Sequence, residues 1–437
     1  MNPRCLLPLL ATATLALAAD PPEPMFRAVT IDDKIQIGYG VAVADVDGDG
    51  RPDILLADKR QIVWYRNPSP PSAPAAREKG GVTTIPWNRP ERWEGPPKLG
   101  ASLWEKFVIA ENLTEKDNVC LAAQDLDGDG KCELAVGAEW NPGDTVNSGA
   151  VFYLIPPADR TQRWEPVKFP SVEPTTHRMK WIKLEDGKWG LVVVPLHGRG
   201  NKNGEGAPVK VLLYHPPTPL NDAKGEWKSE VIDESMHMTH NFDPLSYDSV
   251  YFTSIMLAGR EGIAQLRAAA KGPWDREVTI PASGPGGATL GAGEIRLGLL
   301  GKHESFIAAV EPMHGNQLVV YTQPTSKVKG DLWVRHVLTE KLTEGHALAC
   351  GDLFGAGSEQ IVVGWRGKPG QAGSTTGVAV WTPLDSKGEK WRETVIDPDG
   401  MACEDLVLAD LNGDGKLDIV ASGRATKNVK IYFNDRP

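Results

Sequence analysis

Short runs of alternating β-branched, aromatic and small apolar residues recur along the chain, and turn signals bound nearly every run. Such runs fit strands buried on both faces. Three segments repeat one another closely: GVAVADVDGDGRPDILLAD from Gly40, VCLAAQDLDGDGKCELAVGA from Val119 and LVLADLNGDGKLDIVASG from Leu406. Each reads as strand, acidic loop, strand. A second repeat is a strand led by tryptophan, at Trp104, Trp164, Trp227, Trp274, Trp333 and Trp391, with FRAVTID from Phe26 as a seventh copy. A third element, such as IVWYRNP or VKIYFND, follows the acidic hairpins.

These elements combine into units of four strands. Their first strands open near Tyr39, Asn118, His177, His240, Glu294, His346 and Glu404, six intervals averaging about 61 residues, which suits propeller blades with long loops. The pattern predicts an all-β chain, a single seven-bladed β-propeller of four-stranded blades over residues 19–437. The last unit ends at VKIYFND with no fourth strand, while FRAVTID stands alone before the first. The N-terminal strand is therefore expected to close the last blade, which removes an open sheet edge.

Composition narrows the function classes. Among 437 residues the formal charge is −10, and no Lys/Arg run stands out, which argues against nucleic acid. Residues 1–18 read as a secretory signal, with Arg4, an apolar run from Leu6 to Ala18, and Ala16 and Ala18 at the cleavage site. A secreted or periplasmic protein without membrane insertion follows as the expectation. Cys120 and Cys132 flank one hairpin, so a disulfide and two buried thiols both stay open.

The acidic loops offer Asp45, Asp47, Asp49 and Asp53, then Asp125, Asp127, Asp129 and Glu133, then Asp410, Asn412, Asp414 and Asp418. Oxygen ligands at positions 1, 3, 5 and 9, with glycines permitting the turn, suit a hard cation, so structural calcium is expected. The EF-hand likeness is partial, because Leu56, Val136 and Ala421 stand where its bidentate glutamate belongs. An acidic turn without metal is the bland alternative. These hairpins resemble the FG-GAP or VCBS repeats that build seven-bladed propellers, which implies calcium hairpins on the bottom face.

The opposite face then collects the starts of first strands with the ends of second strands. The ends supply Lys59, Arg60, Glu139, Trp140, His197, Arg199, Arg260, Glu311, His314, Trp365, Arg366 and Arg424. A solvated polar rim accounts for any one of these. As a set, the histidines suggest a functional divalent metal, zinc or another, on His177, His240 and His346. His197, Glu404, Arg199, Arg260 and Arg366 are the expected catalytic and orienting residues, and His215 and His336 fall in third and outer strands as structural groups.

The segments HRMKW from His177 and VVPLHGRGNKNGEG from Val193 are similar to the propeller domain of the aldos-2-ulose dehydratase family. That likeness implies metal-assisted elimination next to the carbonyl of a keto-sugar or keto-glycoside, although no cupin region follows the propeller here. A polysaccharide lyase acting on uronate polymers and a non-catalytic glycan- or protein-binding propeller are the alternatives. Substrate identity and oligomeric state stay open.

Overall fold

The computed structural model describes residues 21–436 except 69–102, 246–252, 270–272, 283–290, 303 and 324–332, so the signal segment 1–18 and His303 lie outside the described residues. Seven four-stranded antiparallel sheets form the ring. Blade one contains β2 (Gly40–Ala44), β3 (Asp53–Ala57), β4 (Gln61–Arg66) and β5 (Glu105–Glu111). Blade two contains β6 (Cys120–Gln124), β7 (Glu133–Ala138), β8 (Ala150–Ile155) and β9 (Glu165–Lys168). In blade three are β10 (Thr176–Lys183), β11 (Trp189–Pro195), β12 (Val211–His215) and β13 (Lys228–Asp233). In blade four are β14 (Thr239–Leu245), β15 (Ser254–Gly259), β16 (Gly262–Arg267) and β17 (Asp275–Pro281). Blade five runs through β18 (Ile295–Leu300), β19 (Glu304–Glu311), β20 (Gln317–Thr322) and β21 (Val334–Thr339). Blade six runs through β22 (Gly345–Gly351), β23 (Gln360–Trp365), β24 (Gly377–Pro383) and β25 (Trp391–Pro398). The seventh joins β26 (Cys403–Ala409), β27 (Asp418–Gly423) and β28 (Val429–Asn434) to β1 (Phe26–Asp32).

The predicted closure is present. Phe26 pairs with Asn434 and Thr30 with Lys430 along the β1–β28 ladder, and an Arg27–Asp435 ion pair at 2.8 Å extends it.

Because the middle strands of each blade bury both faces, the apolar interior is divided into wedges between neighbouring blades rather than gathered at one centre. The repeated aromatic of each outer strand plugs the wedge shared with the preceding blade. Trp164 packs with Leu55 and Trp64 of blade one, Trp227 with Ala135 and Tyr153 of blade two, and Trp104 with Val420 and Ile431 of blade seven. Trp274, Trp333 and Trp391 do the same for blades four to six, and Phe26 for blade seven.

The same wedges decide the cysteine question. Cys120 packs in the wedge between blades two and three, whereas Cys132 packs in the one between blades one and two, on the other face of the sheet. Both thiols are free and buried, so they form no disulfide. Burial pushes the Cys120 thiol up to about 12.

Candidate functional site

The inner strands start at one end of the axis and run into the acidic hairpins at the other. In four blades the inner ladder is interrupted by a bulge at its first residues. Thr176 pairs with Pro195 and Arg178 with Val194, which leaves His177 as the extra residue. His346 is extra between the Gly345–Trp365 and Ala347–Gly364 pairs, and Glu404 between Cys403–Gly423 and Asp405–Ser422. In blade four His240 and Asn241 together oppose Ala258, between the Thr239–Gly259 and Phe242–Leu257 pairs. The corresponding pairs of blades one, two and five run without a shift. A bulge re-aims a side chain that the pleat would send elsewhere. Here it delivers three imidazoles and a carboxylate to one buried cluster.

Each bulged histidine is oriented by the next blade. His177 Nδ1 bonds the His240 carbonyl at 2.9 Å, His240 Nδ1 the Gly293 carbonyl at 3.1 Å, and His346 Nδ1 the Glu404 carbonyl at 2.6 Å. A carbonyl only accepts, so each Nδ1 donates and each neutral ring keeps its Nε2 lone pair. His240 Nδ1 also lies 3.1 Å from Glu294 Oε1, but the N–H points to the carbonyl and Oε1 is left without a hydrogen bond.

His314 completes the group. It sits in the turn between β19 and β20 with φ of 50°, and its Nε2 lies 2.7 Å from His240 Nε2. Its ring stacks 4.8 Å from that of His346. Burial, then the neighbouring cations, holds His177, His314 and His346 well below the usual imidazole range. His240 is lowered by burial despite Glu294 beside it. All four rings are thus neutral near pH 7. The candidate ligand atoms of His240, His314 and His346 lie within 4.8 Å of one another, and three neutral imidazoles form a donor set that fits a divalent transition metal.

The sequence placed His177 in that triad. The structure brings it alongside, with its ring 4.5 Å from that of His240, while its Nε2 accepts an N–H from Arg178 at 3.2 Å. Glu404 and Arg366 do come together: Arg366 Nη1 donates to both Glu404 oxygens at 3.1 and 2.9 Å. Arg424 adds a bond at 2.9 Å, and Glu344 takes the other side of Arg366. His197, Arg199 and Arg260 make their contacts elsewhere. Arg199 bonds the carbonyls of Val146 and Val172, and Arg260 bonds that of Asn203 against Gly204. The His197 backbone is held by Thr175, and its buried Nδ1 has no partner. His215 and His336 sit on β12 and β21 beside Glu230 and Thr322, as expected of structural groups.

At the other end, Asp45, Asp47 and Asp53 form one group of carboxylates, and Asp125, Asp127 and Glu133 a second, each with ligand atoms within 4.8 Å. Position 1 accepts two glycine amides in each loop: Asp45 from Gly48 and Gly50, Asp125 from Gly128 and Gly130, and Asp410 from Gly413 and Gly415. Asp49, Asp129 and Asp414 accept the amides of Arg51, Lys131 and Lys416. Asn412 accepts the Asp414 amide. Asp53, Glu133 and Asp418 close their hairpins by accepting the amides of Val46, Leu126 and Leu411. Burial raises each of these three to about 7.

Comparison with known proteins bears on the histidine end. The family described as the aldos-2-ulose dehydratase β-propeller domain matches residues 148–324, which include His177, His240 and His314. Aldos-2-ulose dehydratase of Phanerodontia chrysosporium is 27% identical over 209 residues, 43% of this chain, and the match spans 23% of that relative's length. Among solved structures, BBS1N in complex with ARL6DN, soaked with mercury, aligns at 14% identity over 95% of this chain and 98% of that one, with a TM-score of 0.49. An Agrocybe aegerita lectin recognising non-reducing terminal N-acetylglucosamine aligns at 10% identity over 84% and 81%, with a TM-score of 0.47. The chain is a seven-bladed propeller distantly similar, over residues 148–324, to the propeller domain of aldos-2-ulose dehydratase.

Proposed function

We propose that this chain is an exported carbohydrate-active lyase that carries out β-elimination on a keto-sugar or keto-glycoside at the histidine end of the axis. The supporting observation is the cluster of four buried, neutral imidazoles, three of them inside the segment matched by the dehydratase propeller family. His240, His314 and His346 would hold zinc or another divalent ion, in place of the triad read from the sequence alone. Bound there, such an ion supplies Lewis acidity toward a carbonyl oxygen.

The residues of the chain divide the remaining work. His177 fixes His240 through its carbonyl and is itself fixed by Arg178. We assign removal of the proton α to the carbonyl to His197 on its chemistry, since its ring is kept neutral by burial and its Nδ1 is unpartnered, although its own contacts, at Thr175, lie apart from the imidazole cluster. As that C–H bond breaks, its electron pair forms the C=C bond while the C–O bond at the β carbon breaks, and the proton the base has taken passes to the leaving hydroxyl, which departs as water. Glu404 already accepts three N–H bonds, which suits it to hold Arg366 and Arg424 toward substrate hydroxyls rather than to accept a proton. Arg199 and Arg260 tie down the loop after β11 through the carbonyls of Val146, Val172 and Asn203. Calcium in the three FG-GAP-type hairpins would have a structural role.

The test is metal analysis of the purified chain together with a screen of aldos-2-uloses and uronate polymers for an ultraviolet-absorbing product. A keto-sugar product lighter by one water, lost together with the metal in His240→Ala, supports the assignment. An unsaturated uronate would favour the polysaccharide lyase, and wild-type turnover by His240→Ala would overturn the metal role.

A further inference from the structure

Along the axis the seven inner strands enclose a cavity of about 460 Å³. Its wall carries three cationic side chains, Arg178, Lys180 and Arg296, with Asp243 and Asp405 as the acids. Hydrogen-bond accounting separates the two signs. Asp405 accepts the amides of Val41 and Leu406, one on each oxygen, and Asp243 accepts that of Leu297. Glu294, behind the wall, accepts from Asn241. Asp405 is thus committed on both oxygens, whereas Asp243 and Glu294 each spend one oxygen on the fold and lie 3.7 and 3.8 Å from the cations beside them.

The cations keep donors in reserve. Arg178 is nine-tenths buried, and its Nη1 serves His177 while its Nε has no partner. A guanidinium has five N–H donors, and leaving one buried and unpaired is costly. Arg296 Nη1 is turned onto its own neighbour's carbonyl at 2.5 Å, and Glu294 lies 3.8 Å away. Lys180 donates to the Phe242 carbonyl at 2.8 Å, with Asp243 at 3.7 Å. Burial, then repulsion from Arg296, lowers its ammonium to about 8. An unpaired guanidinium donor on Arg178, with Arg296 and Lys180 lining the same cavity, describes a site for a small acceptor-rich anion.

We propose that the axial channel binds an oxyanion, with Arg178, Lys180 and Arg296 as its cationic wall and a carboxylate or sulfate-type group as its ligand. The volume admits a monosaccharide acid as well as an inorganic ion. The site is separate from the metal triad, although Arg178 belongs to the wall between them.

Isothermal titration calorimetry of the full chain with sodium glucuronate, sodium sulfate and neutral methyl glucoside tests this. The first or second should bind and the third should not, and the bound anion should slow acylation of Lys180 followed by peptide mass spectrometry. Arg178→Met should weaken binding about tenfold or more, the loss of one charge-assisted hydrogen bond. Arg296→Met gives an independent variant should the first fail to fold. Equal binding of sulfate and glucuronate identifies an inorganic oxyanion site, and preference for glucuronate a sugar-acid site; either supports the proposal. No binding, equal binding of methyl glucoside, or unchanged Lys180 acylation would overturn it. Since Lys180 lies in the channel, anion binding at the histidine end alone leaves its acylation unaltered and counts against the channel site.

Discussion

Replacing His177 by Asn keeps a side-chain N–H near the position of Nδ1 but removes a titratable group that burial holds neutral. In the unfolded chain the imidazole titrates near 6.5, whereas in the fold it titrates well below that value. Between those limits the unfolded state binds the extra proton, so the wild type loses stability as pH falls through 6.5. From pH 7.5 to 5.5 this one group costs about 1.4 kcal/mol, from RT ln(1 + 10) at one unit below its unfolded pKa. The raw pH curve is ambiguous, because Asp53, Glu133 and Asp418 titrate near 7 in the fold and stabilise it on acidification. The difference between variant and wild type cancels that opposing contribution. Urea unfolding of both proteins, with chelator present, should show the penalty for His177→Asn shrinking by about 1.4 kcal/mol between pH 7.5 and 5.5. A penalty equal at the two pH values would refute the claim that this ring is held neutral by burial.

Other consequences can be measured with the same protein. Deleting residues 21–32 removes the β1–β28 ladder and should cost several kcal/mol at about 1 kcal/mol per hydrogen bond, seen as aggregation or rapid proteolysis; an unchanged melting temperature would contradict the closure. Chelator should lower stability by about 2.7 kcal/mol for each hairpin that holds calcium at a hundred times its Kd, and Asp47→Ala with Asp127→Ala should blunt that response. Glu404→Gln should destabilise by about 3 kcal/mol because it strips charge from a buried group clamped by two arginines. Combining it with Arg366→Met should cost less than the sum of the two, since Arg366 would no longer be left facing an uncharged partner, and additive losses would deny the coupling.

The blades were legible because each repeats three signals: an acidic or degenerate hairpin, a turn-bounded apolar strand and a tryptophan, replaced by Phe26 in the seventh. The tryptophan repeats because every wedge needs one large aromatic at the same place, a reason visible only once Trp164 is seen against Trp64. The register also brought His240, His346, Glu404 and Arg366 to one end. What it missed depends on bulges and turns. A one-residue bulge leaves no mark in the alternation of short strands, so the aim of His177 toward Arg178 rather than outward could not be read. His314 lies past its strand in EPMHGN, where a left-handed turn carries it back over the axis. Arg178 and Lys180 are separated by one residue of HRMKW, and only the enclosed axis shows that both line one channel.

The joint between β1 and β28 also sets an order of events. Arg27 and Asp435 meet across 408 positions of chain, so β1 has no partner in the seventh sheet until β28 is available. Six blades can assemble from neighbouring hairpins as the polypeptide lengthens, whereas this one must wait for both ends. Once β28 has formed but before β1 docks, β28 presents an open edge to any other copy, and the first strand is free to pair with one. A nascent population therefore carries complementary sticky ends, and two chains could exchange their first strands before each ring shuts on itself.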